Sequence, residues 1–201
     1  LKLGIEAFNC ESLQEIYVIN EMAHVHGLKA NVSVRINPDI DAHTHKYVTT
    51  GLYENKFGIS QHEFDKLIDI LTKSEHINFI GLHFHIGSQI TRVEEVFALE
   101  CRRVNEIVAY FERNGLKVNN INLGGGLGVD YDDPDESAIA DFGTWFRTIS
   151  SNIVRREDQA VHVEPGRSLV AQCASLISRV LVVKSGETKN FLIMDAGMND
   201  L

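Results

Sequence analysis

Short apolar runs and amphipathic segments take turns along most of this chain. Gly4 to Asn9 is a compact apolar run of the kind that forms a buried strand. From Ser12 the spacing becomes helical, with Leu13, Ile16, Tyr17 and Ala23 on one face and Gly27 as the stop. Ala30 to Asn37 alternates Val32, Val34 and Ile36 against Asn31, Ser33 and Arg35, and Pro38 closes this strand. The polar stretch from Asp39 to Asn55 carries His43, His45 and Lys46. It is long for a strand-to-helix connection, and such loops in compact domains are often functional.

Ser60 with Glu63 reads as a capping box opening a helix that runs to Ser74. Thr91 with Glu94 repeats the signal for a longer helix, with Val93, Val96, Phe97, Val104, Val108 and Phe111 at helical spacing and Gly115 at its end. Between them lies GLHFHIGSQI, Gly81 to Ile90, a strand running into a polar, glycine-containing loop. Val118 to Leu123 is a strand ending in Gly124, Gly125 and Gly126. Ser137 to about Val154 is expected to be helical, and Ala160 to Glu164 is a strand stopped by Pro165 and Gly166.

Strand and helix therefore alternate through five units, the signature of a parallel sheet in an α/β fold. The pattern changes after Arg167. Ser168 to Lys184 is β-branched and apolar without helical stops, Ser185-Gly186 makes a turn, and Asn190 to Asp195 follows as a second strand. The expected architecture is a partial (β/α)8 TIM barrel over residues 1–167 and the beginning of an antiparallel β domain over 168–201. An eight-stranded barrel needs roughly 250 residues, so five units make part of one. A doubly wound sheet is the competing arrangement. The chain opens on Leu1, not Met, and closes within Asp-Ala-Gly-Met-Asn-Asp-Leu, which leads us to expect an internal piece of a longer protein.

Composition narrows the chemistry. A hydrophobic share of 44% and a charged share of 23% in 201 residues are those of a globular protein. A net charge of −9 argues against nucleic acid or an anionic membrane as the main partner, although local cations can still hold a small anion. Cys10, Cys101 and Cys173 are odd in number and widely spaced, so we expect no disulfide framework and a cytoplasmic location.

Three strand ends carry the candidate chemistry. Alternation puts His83 and His85 on one face of their strand and Leu82, Phe84 and Ile86 on the other. Gly87, Ser88 and Gln89 follow, where α/β proteins keep their ligands. The triple glycine lets backbone amides approach an anion such as phosphate, although alone it reads better as a tight strand-to-helix turn. It is not a dinucleotide fingerprint, because the third glycine of that motif would fall on Val129 or Tyr131. Glu164 shares a face with His162 and is placed to hold a protonated ring nitrogen, with Gly166 and Arg167 offering an amide and a guanidinium to an oxyanion. The structural alternative is an ion pair between Glu164 and Arg35.

Two readings of the histidines compete. One is a zinc hydrolase with His83, His85, His162 and Asp195 as ligands. The other is an aromatic, phosphate-bearing cofactor with its ring on His85, its phosphate at Ser88 and the glycines, and its ring nitrogen on Glu164. Only the second gives all three strand ends a task. His24 and His26, in an exposed helix end, are not expected to form a site, and His43 with His45 stays open.

GLHFHIGSQI, INLGGGLGVDY and VEPGRS, in that order, resemble the alanine-racemase-like barrel class of pyridoxal phosphate enzymes. RINPDIDAHTHKYVTTGLYENKFGI and MDAGMNDL are similar to the diaminopimelate decarboxylase family within it. The resemblance implies decarboxylation of meso-2,6-diaminopimelate to L-lysine by a homodimer with pyridoxal 5'-phosphate. An ornithine- or arginine-type decarboxylase of the same fold is the alternative, although ornithine decarboxylases lack the Gln89-Ile90 continuation and the Met-Asp-Ala-Gly-Met run.

The resemblance gives His85 the ring face, Glu164 the ring nitrogen, and Ser88 the phosphate. The segments Gly124-Gly125-Gly126 and Pro165-Gly166-Arg167 complete the cofactor site, and Arg167 also meets the distal carboxylate of the substrate. Racemases of this fold have an arginine in place of Glu164. Arg35 and Lys56 match positions that support the site or the dimer interface. The class attaches its cofactor to a lysine in a Tyr-x-x-Lys-Ala-Asn context, which no lysine here has, so the chain alone is expected to be inactive.

Overall fold

Five parallel strands pair side by side in the order in which the chain makes them: β1 (Phe8–Cys10), β2 (Ala30–Arg35), β3 (Ile77–His83), β4 (Asn120–Asn122) and β5 (Ala160–His162). A doubly wound sheet reverses its strand order at a switch point. This one does not, and it forms part of a barrel. The computed structural model describes residues 1–40, 56–133, 136 and 140–200. The loop carrying His43, His45 and Lys46, and the expected helix start at Ser137, lie outside them. The described residues divide into two compact units, Leu1–Leu169 and Val170–Leu201.

Helices α1 (Leu13–Val25), α2 (Phe64–Lys73), α3 (Val93–Arg113) and α4 (Phe142–Asn152) follow the first four strands in turn. Their apolar stripes and one face of the sheet make the core. In α3, Val96, Phe97, Cys101, Val104, Ile107, Val108 and Phe111 are buried at helical spacing. Phe97 meets Trp145 of α4 with ring centres 5.6 Å apart, and Phe111 meets Phe64 of α2 at 5.2 Å. Each fully buried side chain of this size contributes about 1.5–3 kcal/mol, so α3 anchors the helical layer. Leu82, Phe84 and Ile86 are fully buried, as alternation predicts. Tyr17 departs from its expected face and is half exposed, whereas Ile16 and Ala23 are buried.

Several boundaries shift. The first strand begins at Phe8 rather than Gly4, and Gly4 instead turns back on Leu1 through its N–H at 3.1 Å. The later strands are shorter than their apolar runs, but their hydrogen-bonding extends beyond them, as described below. Neither expected capping box forms. Glu63 closes a 3-10 turn over Gln61–Glu63 by donating its N–H to the Ser60 carbonyl at 3.0 Å, leaving the Ser60 side chain out of the cap. Thr91 falls outside α3 because Ile90 is held extended, donating to the Gly126 carbonyl and accepting from the Gly128 amide, each at 2.9 Å.

The capping that does form is at α1, where the Ser12 hydroxyl accepts from Glu15 N–H at 3.2 Å and the Glu15 carboxylate accepts from Glu11 N–H at 2.7 Å. Gly27 and Gly115 end α1 and α3 at φ +62 and +86, the left-handed conformation that a Schellman stop requires. Leu28 N–H to Ala23 O and Leu116 N–H to Phe111 O complete the two motifs.

In the second unit, β6 (Val180–Lys184) pairs antiparallel with β7 (Phe191–Met194), as expected. The run before it is not one long strand. A short helix α5 (Arg167–Val170) spans the unit boundary, and Ser178 and the Arg179 amide donate to Asp195 at 2.9 and 2.8 Å.

Candidate active site

The parallel ladder does not stop where the strands do. Ile36 donates to His83 O at 2.9 Å, Phe84 to Asn122 O at 2.7 Å, Leu123 to His162 O at 3.0 Å and Glu164 to Gly124 O at 2.7 Å. These bonds carry His85, the triple glycine and Glu164 to the same end of the sheet, the C-terminal edge where parallel barrels hold ligands. The glycines permit the close approach. Gly124 and Gly126 sit at φ +66 and +107, and a Cβ on Gly125 would overlap the Glu164 carbonyl oxygen.

Gly125 N–H donates to His85 Nδ1 at 3.2 Å. This bond leaves Nδ1 as the acceptor, so the neutral ring carries its proton on Nε2. Burial is the main cause that lowers the His85 pKa, and the charges of Arg35 and His83 lower it further, so the imidazole is neutral at pH 7. A neutral ring can lie against an aromatic cation without repelling it.

Glu164 is held at both oxygens. His83 Nε2 donates to Oε2 at 3.2 Å, and Asn122 Nδ2 donates to Oε1 at 2.8 Å. Burial acts to raise the Glu164 pKa, but these hydrogen bonds outweigh it and hold the carboxyl below its ordinary range. His83 is buried, its pKa lowered chiefly by desolvation, and its Nδ1 has no hydrogen-bond partner among the described residues. Glu164 and His162 line one polar opening on the inner face of the sheet with Asn9, Ser33 and Asn122, as their shared strand face predicts.

The groups that the sequence offers to an anion also converge. Arg167 donates from Nε to the Ser88 hydroxyl at 3.1 Å and from Nη1 to the Tyr131 hydroxyl at 2.7 Å. Gln89, at φ +62, pairs its side-chain amide with the Val129 backbone in both directions, at 2.6 and 3.1 Å, and ties the β3 loop to the β4 loop.

The alternative for Glu164, an ion pair with Arg35, does not form. Arg35 pairs with Glu11 at 2.6 Å and lies over the Phe57 ring at 4.8 Å, while Glu11 also accepts from Gly58 N–H at 3.3 Å. Lys56 lies 5.1 Å from the centre of the same ring. The zinc-hydrolase reading loses its ligand set, because His83 Nε2 is committed to Glu164, and among the described residues no three His, Cys, Asp or Glu side chains are grouped to hold a metal. His24 bonds to His76 at 2.9 Å across two elements, a packing contact.

Sequence reasoning missed Asn122 and Tyr131, whereas Gln89 stands in the loop that the sequence singles out. Asn122 had a readable signal, since it faces inward two residues before the first glycine. Tyr131 had none, because it lies beyond any strand whose alternation would aim it.

Residues 1–171 match the family model of the pyridoxal-dependent decarboxylases, pyridoxal binding domain. A diaminopimelate decarboxylase of Bacteroides thetaiotaomicron is 50% identical over all of this chain and 52% of its own length, and one of Pseudomonas aeruginosa is 42% identical over all of this chain and 47% of its own. The crystal structure of a mutant diaminopimelate decarboxylase from Helicobacter pylori, complexed with L-lysine, superposes with a TM-score of 0.83 at 38% identity, covering 99% of this chain and 49% of that one. The chain spans about half the length of the curated relatives it matches.

Proposed function

The chain belongs to the pyridoxal-dependent decarboxylase family, and from that premise we propose that it is the cofactor-holding part of a longer enzyme that converts meso-2,6-diaminopimelate to L-lysine and carbon dioxide. The observation that carries this reading is the meeting of three strand ends, in which His85 accepts from Gly125 N–H and Glu164 accepts from His83 and Asn122, with the Ser88–Arg167 pair on the neighbouring loops. The donor set and the absence of Cβ atoms at Gly124, Gly125 and Gly126 fit pyridoxal 5'-phosphate.

Ser88, Gly126, Gly166 and Arg167 would hold the phosphate, as a hydroxyl, backbone amides and a guanidinium suit a dianion. Gly124, Gly125 and Pro165 shape the backbone around it. His85 would lie against the ring face, and Glu164 would accept from the ring nitrogen and favour its protonated form. Pyridoxal phosphate supplies an electron sink for the pair left behind when the substrate carboxylate departs as carbon dioxide. Arg167 would also meet the distal carboxylate of the substrate. The lysine that attaches the cofactor is assigned to a part of the enzyme outside these 201 residues, so the chain alone would not turn over.

We further place the enzyme in the cytoplasm as a homodimer. The three cysteines are free, which suits a reducing compartment, and the homodimer follows from the resemblance of the motifs.

The full-length protein, supplied with pyridoxal phosphate, is expected to release carbon dioxide and form L-lysine from meso-diaminopimelate, and to leave ornithine and arginine unchanged. Turnover of ornithine or arginine in preference would overturn the substrate assignment. No decarboxylation of any of the three would overturn the activity.

A further inference from the structure

Glu164 carries more bonds than a group waiting for a ligand needs. Its two oxygens are taken by donors from two different strands, His83 at the end of β3 and Asn122 at the end of β4. Asn122 is itself bound, since its Oδ1 accepts from Gly124 N–H at 2.8 Å, which fixes the side-chain amide with its NH2 group toward Glu164. His83 has little freedom either. It is buried, and to donate from Nε2 as a neutral ring it must leave Nδ1 bare, the atom that has no partner among the described residues. A second proton there would put an unpaired N–H in the interior, so the geometry selects one tautomer.

We infer that His83 and Asn122 are positioning residues that clamp the Glu164 carboxylate in one orientation, and that Asn122 ties this clamp to the glycine turn through Gly124. The inference rests on the cofactor reading above and deepens it by saying what aims the carboxylate at a protonated ring nitrogen. Each carboxylate oxygen has two lone-pair directions, so the two donors leave room for a third N–H. A carboxylate free to rotate would lose orientation whenever the ligand left. Clamped from two strands, it is already set before the ligand arrives, which is how a fixed dipole acts without reorganisation. The other charged groups facing His83 are Arg35 and Glu11, which are paired with each other at 2.6 Å.

The test uses the full-length holoenzyme loaded with isotopically labelled pyridoxal phosphate, and reads the protonation of the ring nitrogen by magnetic resonance alongside cofactor affinity. In His83→Leu, which keeps bulk but donates nothing, the pH at which the ring nitrogen loses its proton should fall by about one unit and cofactor Kd should rise about tenfold. Asn122→Ala should move both readings in the same direction. His83→Gln, whose amide can reach the same oxygen, should restore most of the effect, which a purely space-filling role would not predict. If His83→Leu does not fold, the Asn122→Ala and His83→Gln pair still decides the matter.

Variants with the wild-type resonance and a Kd within about twofold would overturn the clamp, as would a glutamine no better than leucine. Wild-type protein that takes up no pyridoxal phosphate would overturn the cofactor reading itself, and that outcome is visible before any variant is made.

Discussion

Arg167 donates through Nε to the Ser88 hydroxyl at 3.1 Å, which joins the loop after β3 to the segment after β5. On the proposed cofactor reading, this guanidinium and hydroxyl, already in contact, would receive the phosphate, and the same guanidinium is held from its other side by Tyr131 at 2.7 Å. Arg167→Ala should therefore weaken pyridoxal phosphate binding by about 10- to 100-fold, the value of a charge-assisted hydrogen bond. Arg167→Lys should recover only part of it, because an ammonium cannot hold both partners in the planar fork. Equilibrium binding followed by cofactor fluorescence checks both.

Two glycines near the site should respond very differently to a methyl group. A Cβ at Gly125 would overlap the Glu164 carbonyl, whereas one at Gly166 has nothing within 4 Å. Gly125→Ala should lose about 1–3 kcal/mol of stability from overpacking, and Gly166→Ala should change it by no more than about 0.5 kcal/mol. Urea unfolding of the two variants gives the comparison.

Glu100 is fully buried on the inner stripe of α3, and neither carboxyl oxygen has a partner among the described residues. Burial raises its pKa well above 4.5, so the folded chain holds it as the neutral acid. Below the unfolded pKa both states carry the proton and the group costs nothing extra. As pH rises past 4.5 toward the folded value, the unfolded state releases its proton first, and stability falls by up to about 1.4 kcal/mol per pH unit. Glu100→Gln removes this titration. The wild type should lose stability relative to the glutamine variant between about pH 5 and 7, read as a drift in the difference of urea midpoints. A constant difference across that range would contradict a neutral Glu100.

Burial pushes the thiols of Cys10 and Cys101 up to about 12, while Cys173 is exposed. At pH 8 only Cys173 of the native 201-residue chain should react quickly with a disulfide reagent, and all three after denaturation. Rapid native labelling of Cys10 or Cys101 would mean that the core around β1 or α3 opens.

Much of this organisation was legible because it follows from periodicity. Alternation in GLHFHIGSQI separates His83 and His85 from Leu82, Phe84 and Ile86, and the structure keeps that division. Strand–helix alternation gives the parallel sheet, and Gly27 and Gly115 mark real helix ends. What could not be read depends on partners far away in sequence. The Thr91 box looks sound locally, yet Gly126 and Gly128 hold Ile90 extended and delay the helix. The fate of Arg35 turns on Glu11, 24 residues upstream, and that of Glu164 on Asn122 and His83. Motif resemblance pointed to these strand ends, but only the folded chain revealed which atoms bond there.

The full-length protein should be incubated with pyridoxal phosphate, reduced with borohydride and mapped by peptide mass spectrometry. If the cofactor assignment holds, one phosphopyridoxyl group per chain forms on a lysine outside these 201 residues, and none on the 201-residue chain alone. No labelling of the full-length protein, or labelling of a lysine within this chain, would contradict it.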